Sequence, residues 1–281
     1  MPGTLFLVST PIGNLDDITL RAVSTLRQVA VIACEDTRHS RKLLDHLEIS
    51  TPLLSCHEHN EVGRSQQLVE RLLAGDSVAL ISDAGTPLVS DPGFRLVEAA
   101  IAVSIPVVPI PGPSAAVAAL SASGLPTDAF RFAGFLPAKR TQRLKQLELL
   151  LEVEETIVFY EAPHRILDSL ADIEQVLGAE RPVVVARELT KLHEEFLRGT
   201  ASQVHALLSA RPAIKGEITL IIGKMGKMAK RTPSAGEVDL ASEVDHLQSG
   251  GMPRMDAIKE VARRYNLGKR DVYKRLTPEG I

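Results

Sequence analysis

The sequence predicts an α/β protein: two α/β domains in series, followed by a small helical domain. Three observations carry this. Short apolar runs recur, each emptying into a loop of Gly, Pro, Asp or Thr and followed by apolar residues at helical spacing, the alternation that builds a mainly parallel sheet. Pro111-Gly112-Pro113-Ser114 interrupts that alternation, which then restarts. Past Gly223 the composition changes to a stretch rich in Lys, Gly, Pro and Ser, and the residues beyond that stretch carry helical spacing only. The expected boundaries are 1–113 and 114–223 for the α/β domains, 224–236 for a linker and 237–281 for the helical domain.

In order, Leu5 to Ser9 reads as a buried strand that opens into Thr10-Pro11-Ile12-Gly13-Asn14-Leu15-Asp16-Asp17, ahead of a helix carrying Leu20, Val23 and Leu26. Val29 to Ala33 is a second strand, ending in Glu35-Asp36-Thr37-Arg38 before a helix with Leu43, Leu44 and Leu47. Pro52 to Cys56 is a third, with His57-Glu58-His59-Asn60 as its loop and a helix through Leu68, Val69, Leu72 and Leu73. Val78 to Ile81 is a run that a parallel sheet buries on both faces. It delivers Ser82 to Gly93 to the carboxyl edge of the sheet, where loops of open α/β sheets bind ligands. In that loop Gly85 permits close backbone approach, Pro87 restricts the chain and Asp83 offers an ionised acceptor. Asp91 reads as an N-cap and Pro92 as the first residue of a helix beginning near Phe94.

Pro106 to Ile110 closes the first half, and Ala115 to Ser123 is a helix of small residues. The second half reads as strand Phe130 to Phe135, a helix around Leu144 to Leu151, strand Thr156 to Tyr160 and a helix through Ile166, Leu167, Leu170 and Ile173. Strands Pro182 to Ala186, Phe196 to Gly199 and Glu217 to Ile222 complete it. The short connection at Leu192 to Phe196 permits antiparallel pairing. From Gly251 onward eight basic residues oppose four acidic ones. Ala257, Val261 and Ala262, then Leu267, Val272, Tyr273 and Leu276, suggest two helices joined at Asn266-Leu267-Gly268 in a helix-turn-helix pattern.

The 281 residues, 44% of them hydrophobic, suffice for a sizeable core, and a net charge of −3 projects no global positive field toward nucleic acid. Any RNA-binding surface must therefore be local, and the basic tail is the candidate. Cys34 and Cys56 have no metal-ligand or disulfide spacing, no apolar run reaches bilayer length and no targeting signal is visible, so a cytoplasmic protein is expected. His57 and His59 lack further ligands in sequence, and no metal is expected. With 4% aromatic residues and no Trp, a broad stacking platform for single strands is not expected.

No GxGxxG occurs, so a dinucleotide site lacks its fingerprint. Eight blocks instead resemble the tetrapyrrole-methylase-like class of S-adenosylmethionine methyltransferases, and within it the branch that 2′-O-methylates a cytidine of small-subunit ribosomal RNA. They are Thr10 to Leu15, Glu35 to Arg38, Ser82 to Pro87 with Ser90 to Gly93, Pro111 to Pro113, Ser123 to Pro126, Gly134 to Pro137, Phe159 to Glu161 with His164-Arg165, and Arg187 to Lys191. The resemblance implies a homodimeric enzyme of two tetrapyrrole-methylase-type domains with the donor in the trough between them. It implies action on the 16S RNA of the small ribosomal subunit, not on DNA or membrane. Pro11, Gly13, Asp83, Ala84, Gly85, Thr86, Pro87 and Ser114 are then expected at the donor, with Phe159, Tyr160 and Gly216 around its adenosine. Methyl transfer to a hydroxyl needs a proton acceptor, and Glu161 or Glu188 is the expectation. Arg38, His57, His59, His164, Arg165, Arg187, Lys191, Lys269 and Arg270 are expected to meet the RNA, the cations holding phosphates. A tetrapyrrole methylase and a non-catalytic RNA-binding assembly factor are the alternatives. The Arg- and Lys-bearing blocks and the tail favour RNA over a tetrapyrrole, and the intact donor loops favour catalysis.

Overall fold

The computed structural model describes residues 1–57, 59–224, 240–249 and 252–264. Residues Met1–Lys224 form one compact unit holding two five-stranded sheets. The first contains β1 (Leu5–Val8), β2 (Val31–Cys34), β3 (Leu53–Ser55), β4 (Val78–Ile81) and β5 (Val107–Ile110) in the order β3-β2-β4-β1-β5, every pair parallel. All four residues of β2 and of β4 are buried, as their uninterrupted apolar runs require of inner strands covered on both faces. Pro109, which has no N–H for a ladder, sits on the edge strand β5.

Helices α1 (Leu20–Gln28) and α2 (Thr37–His46) cover one face of this sheet through Leu26 and Leu44. Helices α3 (Glu61–Leu73) and α4 (Phe94–Ala102) cover the other through Leu68, Leu72 and Leu96. The sheet is thus wound on both sides, and the loops after its strands share one edge.

The second sheet contains β6 (Phe130–Phe135), β7 (Thr156–Glu161), β8 (Pro182–Arg187), β9 (Glu195–Thr200) and β10 (Ile218–Ile222) in the order β6-β7-β10-β8-β9. It is mixed: β6 and β7 run parallel, and the other three pairings are antiparallel, including the β8–β9 hairpin that the short connection permits. Helix α5 (Ala115–Ser123) lies on the face bearing Val158, Val184 and Ile221. On the opposite face, α6 (Arg140–Glu148), α7 (Ile166–Leu177) and α8 (Ala201–Ser209) pack against Ile157, Phe159, Val183 and Leu220.

Three expectations need correction. Helix α6 begins four residues earlier than expected, at Arg140. Helix α8 is absent from the expected elements, although Thr200 and Gln203 form its capping box and are a legible start signal. Asp91 and Pro92 do not open α4. Its N-cap is Gly93, at φ 123°, and its first amides are met by a carboxylate from another helix: Gly93 and Arg95 both donate to Glu61 Oε1 at 3.0 Å. Ser90, at φ 67°, turns the chain just before, which leaves Asp91 outside the helix.

A second unit holds α9 (Leu240–Ser249) and α10 (Arg254–Arg264), whose Val244, Ala257, Ile258, Val261 and Ala262 form a small core of their own. The first of the expected tail helices is α10. The second, with Lys269 and Arg270, and residues 225–236 of the expected linker lie outside the described residues.

Candidate active site

The site starts from three adjacent strands, β4, β1 and β5, whose following loops are tied to one another. Thr10 and Gly85 pair as an isolated antiparallel bridge, with N···O distances of 2.9 and 3.1 Å. Ser82 Oγ donates to Gly85 O at 3.0 Å, and Thr86 Oγ1 donates to Pro113 O at 3.1 Å. Gly85 sits at φ 86°, and a Cβ there would lie 3.3 Å from Ile12, so the bridge needs glycine for its backbone shape more than for space. Leu88 and Ser90 also hold positive φ. Such strained positions persist where the surroundings over-determine them, and they gather at ligand sites.

The β1 loop reaches the second half of the unit. Ile12 packs with Ala116, Ala119 and Leu189, and a Cβ on Gly13 would fall 2.4 Å from Lys191 Cγ and 2.9 Å from Leu189 O. Between these loops and the ends of β6, β7 and β10 lies a cavity of about 410 Å³. Ile12, Val89 and Leu189 give it apolar walls, while Thr86, Asp91 and Thr219 bring polar groups. Ser114 and Ala115 also line it. The Ser114 side chain does not cap α5, and in its first turn the Ala116 amide donates to the Tyr160 oxygen.

Asp91 is the chemically distinctive lining residue. Burial and then the nearby Glu35 carboxylate push its pKa up to about 6; its hydrogen bond with Ser82 opposes them, and the Asp83 carboxylate adds a smaller upward push. Its place in the sequence suggests a helix cap. The signal that corrects this is Glu61, whose capping role no local pattern reveals.

Of the residues expected at the donor, Ala84, Thr86, Ser114, Tyr160 and Gly216 line this cavity. Pro11 and Asp83 instead line a neighbouring one of about 40 Å³ beside His39 and Ser40, where Asp83 Oδ1 accepts the Asp36 amide at 3.3 Å. Gly13 and Gly85 shape the loops, and Pro87 is buried behind them. Phe159 is fully buried in the core under α7. Alternate residues of a strand point to opposite faces, so Tyr160 can face the cavity only if Phe159 does not.

The expected proton acceptors are both engaged. Glu161 borders the cavity, but its carboxylate accepts from Ser169 Oγ and the Ala162 amide, each at 2.7 Å, and pairs with Arg165 at 2.6 Å. Glu188, at φ 53°, pairs with Lys191 at 2.9 Å and accepts the Glu217 amide at 3.0 Å. The Lys191 hydrogen bond leads the effects that lower its pKa. The expected phosphate-holding cations of the described residues all have carboxylate partners: Arg38 with Asp36, Arg165 with Glu161, Arg187 with Glu195, and Lys191 with Glu188 and Glu217. Arg38 remains 90% exposed and open to solvent. His57 Nε2 lies 3.1 Å from Asn60 Nδ2, the His59 ring stands edge-on to it, and His164 is exposed. Among the described residues no group of three or more His, Cys, Asp or Glu is placed to hold a metal ion.

Residues 4–205 match the family model of Tetrapyrrole (Corrin/Porphyrin) Methylases. A protein of Synechocystis called ribosomal RNA small subunit methyltransferase I is 48% identical over 271 residues, 96% of each chain. One of the same name from Pseudomonas aeruginosa is 56% identical over 203 residues, 72% of each. Among solved structures, uroporphyrin-III C-methyltransferase of Thermus thermophilus in complex with S-adenosyl homocysteine aligns with a TM-score of 0.54 at 20% identity, covering 79% of this chain and 97% of that one.

Proposed function

The chain belongs to the tetrapyrrole (corrin/porphyrin) methylase family, and within it to the ribosomal RNA small subunit methyltransferases I; from this premise we propose that it methylates the ribose 2′-oxygen of a cytidine in 16S RNA. It is an S-adenosylmethionine-dependent methyltransferase. The observation that carries the RNA substrate is the 48% identity sustained over 96% of both chains with a relative bearing that name. The structural likeness to a porphyrin enzyme, at 20% identity, speaks for the fold alone.

The cavity suits the donor. Its volume of about 410 Å³ is that of a small-molecule site, and its apolar walls with a few polar groups match an adenosine and the methionine chain of the donor. The start of α5, which the Ser114 side chain leaves uncapped and where Tyr160 meets the Ala116 amide, points its N-terminus at a carboxylate in this reading. Ala84, Thr86, Tyr160 and Gly216 complete the donor's surroundings in this reading. When bound, S-adenosylmethionine supplies a methyl group activated by its sulfonium.

The chain's own part is to orient the ribose hydroxyl and take its proton. Glu161 and Glu188 are held by Arg165 and Lys191, so we assign the proton to Asp91, which lines the cavity and whose raised pKa, about 6, suits a base acting near neutral pH. Arg38, whose side chain is 90% exposed, is the cation most free to exchange its carboxylate for an RNA phosphate. In this reading the enzyme works in the cytoplasm on the small subunit or its 16S RNA, as a homodimer. Light scattering then gives a mass near twice 30.4 kDa, and a monomer at micromolar concentration contradicts the dimer.

The deciding experiment supplies labelled S-adenosylmethionine with small ribosomal subunits, naked 16S RNA or a uroporphyrinogen. The product RNA is then hydrolysed in alkali, which cannot cleave next to a 2′-O-methyl group. Label in an alkali-resistant dinucleotide beginning with cytidine is the expected result. Label in the tetrapyrrole alone overturns the RNA reading.

A further inference from the structure

Strand β6, Phe-Arg-Phe-Ala-Gly-Phe, breaks the alternation that strands obey. Phe132 pairs with Val158 and Phe135 with Tyr160, so three steps along β6 match two along β7, and one residue is bulged out. Gly134, at φ 67°, supplies the backbone turn, and a Cβ there would approach Ser90 Oγ at 3.8 Å. Without the bulge Phe135 would share a face with Ala133, which packs into the core beneath α6 and α7. With it, Phe135 joins Phe132 on the face of Tyr160 and lines the cavity.

Tyr160 holds the ring edge-on: the Phe135 and Tyr160 centroids are 5.7 Å apart at 64°, and Phe132 packs on Tyr160 at 4.9 Å with the same tilt. Yet Phe135 is 53% exposed. The fold thus uses a bulge to move a large apolar ring out of the core and hold it open at a cavity.

We infer that Phe135 is the stacking platform for the target nucleobase, receiving one base turned out of the RNA so that its ribose hydroxyl meets the donor cavity. This rests on the RNA reading above. Turning the nucleotide out of its stack brings its ribose into an enclosed cavity, and an exposed aromatic face is what retains an unstacked base. A single ring suits a chain with only 4% aromatic residues, which cannot build an extended platform. The openness of Phe135 also favours the arriving base over the donor's adenine, since Ile12 and Thr86, cavity walls from the first half, are the more buried ones.

The test compares wild type with Phe135→Ala, Phe135→Leu and Phe135→Tyr. It reads kcat/KM for small subunits, S-adenosylmethionine affinity by calorimetry, and thermal melting. Loss of stacking should lower kcat/KM roughly 5- to 150-fold in the Ala and Leu variants. The Tyr variant should stay near wild type, and donor affinity and melting should be unchanged in all three. Wild-type kinetics in Phe135→Leu would overturn the inference, because an apolar lip then suffices. So would donor affinity falling in step with kcat/KM, which would place the ring at the donor. Wild-type enzyme inactive on small subunits and their RNA would overturn the functional reading itself, and the platform with it.

Discussion

Asp91 shows how one residue's chemistry depends on what surrounds it. An ordinary aspartate would be ionised well below neutrality; here burial and two neighbouring carboxylates raise the pKa from 3.8 to about 6. The folded protein therefore holds this proton more tightly than the unfolded chain does. Between about pH 4 and pH 6 the unfolded chain loses it first, so this group's contribution to stability falls as pH rises through that window. Asp91→Asn should melt higher than wild type at pH 7.5, with the difference closing by pH 4. If Asp91 takes the proton, as proposed, it also sets the acid limb of the wild-type rate, and kcat/KM should decline below about pH 6. The Asn variant should lose about 10²- to 10⁴-fold in methyl transfer and keep its affinity for S-adenosylmethionine. An Asn variant with wild-type rates and an unchanged acid limb would remove Asp91 from this role.

At the scale of elements, the loop after β4 is held in place from a distance. Glu61 is 7% exposed and accepts two amides at the start of α4, completing contacts between α3 and α4 that local sequence does not encode. Glu61→Ala would leave both amides unpaired in a buried setting. A loss of about 1–3 kcal/mol is expected, measured by urea unfolding. Donor affinity should weaken too, because Val89, Ser90 and Asp91 lie between Thr86 and the freed helix start. A variant as stable as wild type would show that water satisfies those amides equally well. Strand β8 and its hairpin partner β9 were legible as elements from their β-branched and aromatic residues. The alternative partners of Glu188 were not, since they depend on Gly216 presenting its backbone at φ 91° beside the carboxylate.

For the whole molecule, the basic carboxyl-terminal segment is a separate unit with a small core of its own, so its contribution can be tested by removal. A tethered basic module raises the local concentration of RNA, and phosphate contacts make such capture depend steeply on salt. Truncation after Lys224 is expected to leave S-adenosylmethionine affinity intact and to lower methylation of small subunits, most at higher salt. Reversing the charges of Lys269, Arg270, Lys274 and Arg275 together should reproduce the defect. Equal rates for truncated and full-length enzyme across a salt series would assign the segment a structural role only.

Sequence by itself determined the ten strands of the described residues, the punctuation of the loops and the family, because buried runs, helical spacing and Gly-Pro motifs are local properties of the chain. Val78 to Ile81 could be read as a strand buried on both faces without knowing its neighbours, and so it is. Tertiary structure alone decided which partners each polar group has. Glu161 and Glu188 stand in motifs that look catalytic, yet Arg165, Ser169 and Lys191 occupy them; Asp91 looked like a cap until Glu61, from the preceding helix, took that task. The side-chain direction of Phe135 likewise follows from a bulge measured against β7. Partnering and register are relations between distant segments, and charge, exposure and reactivity follow from those relations rather than from residue type.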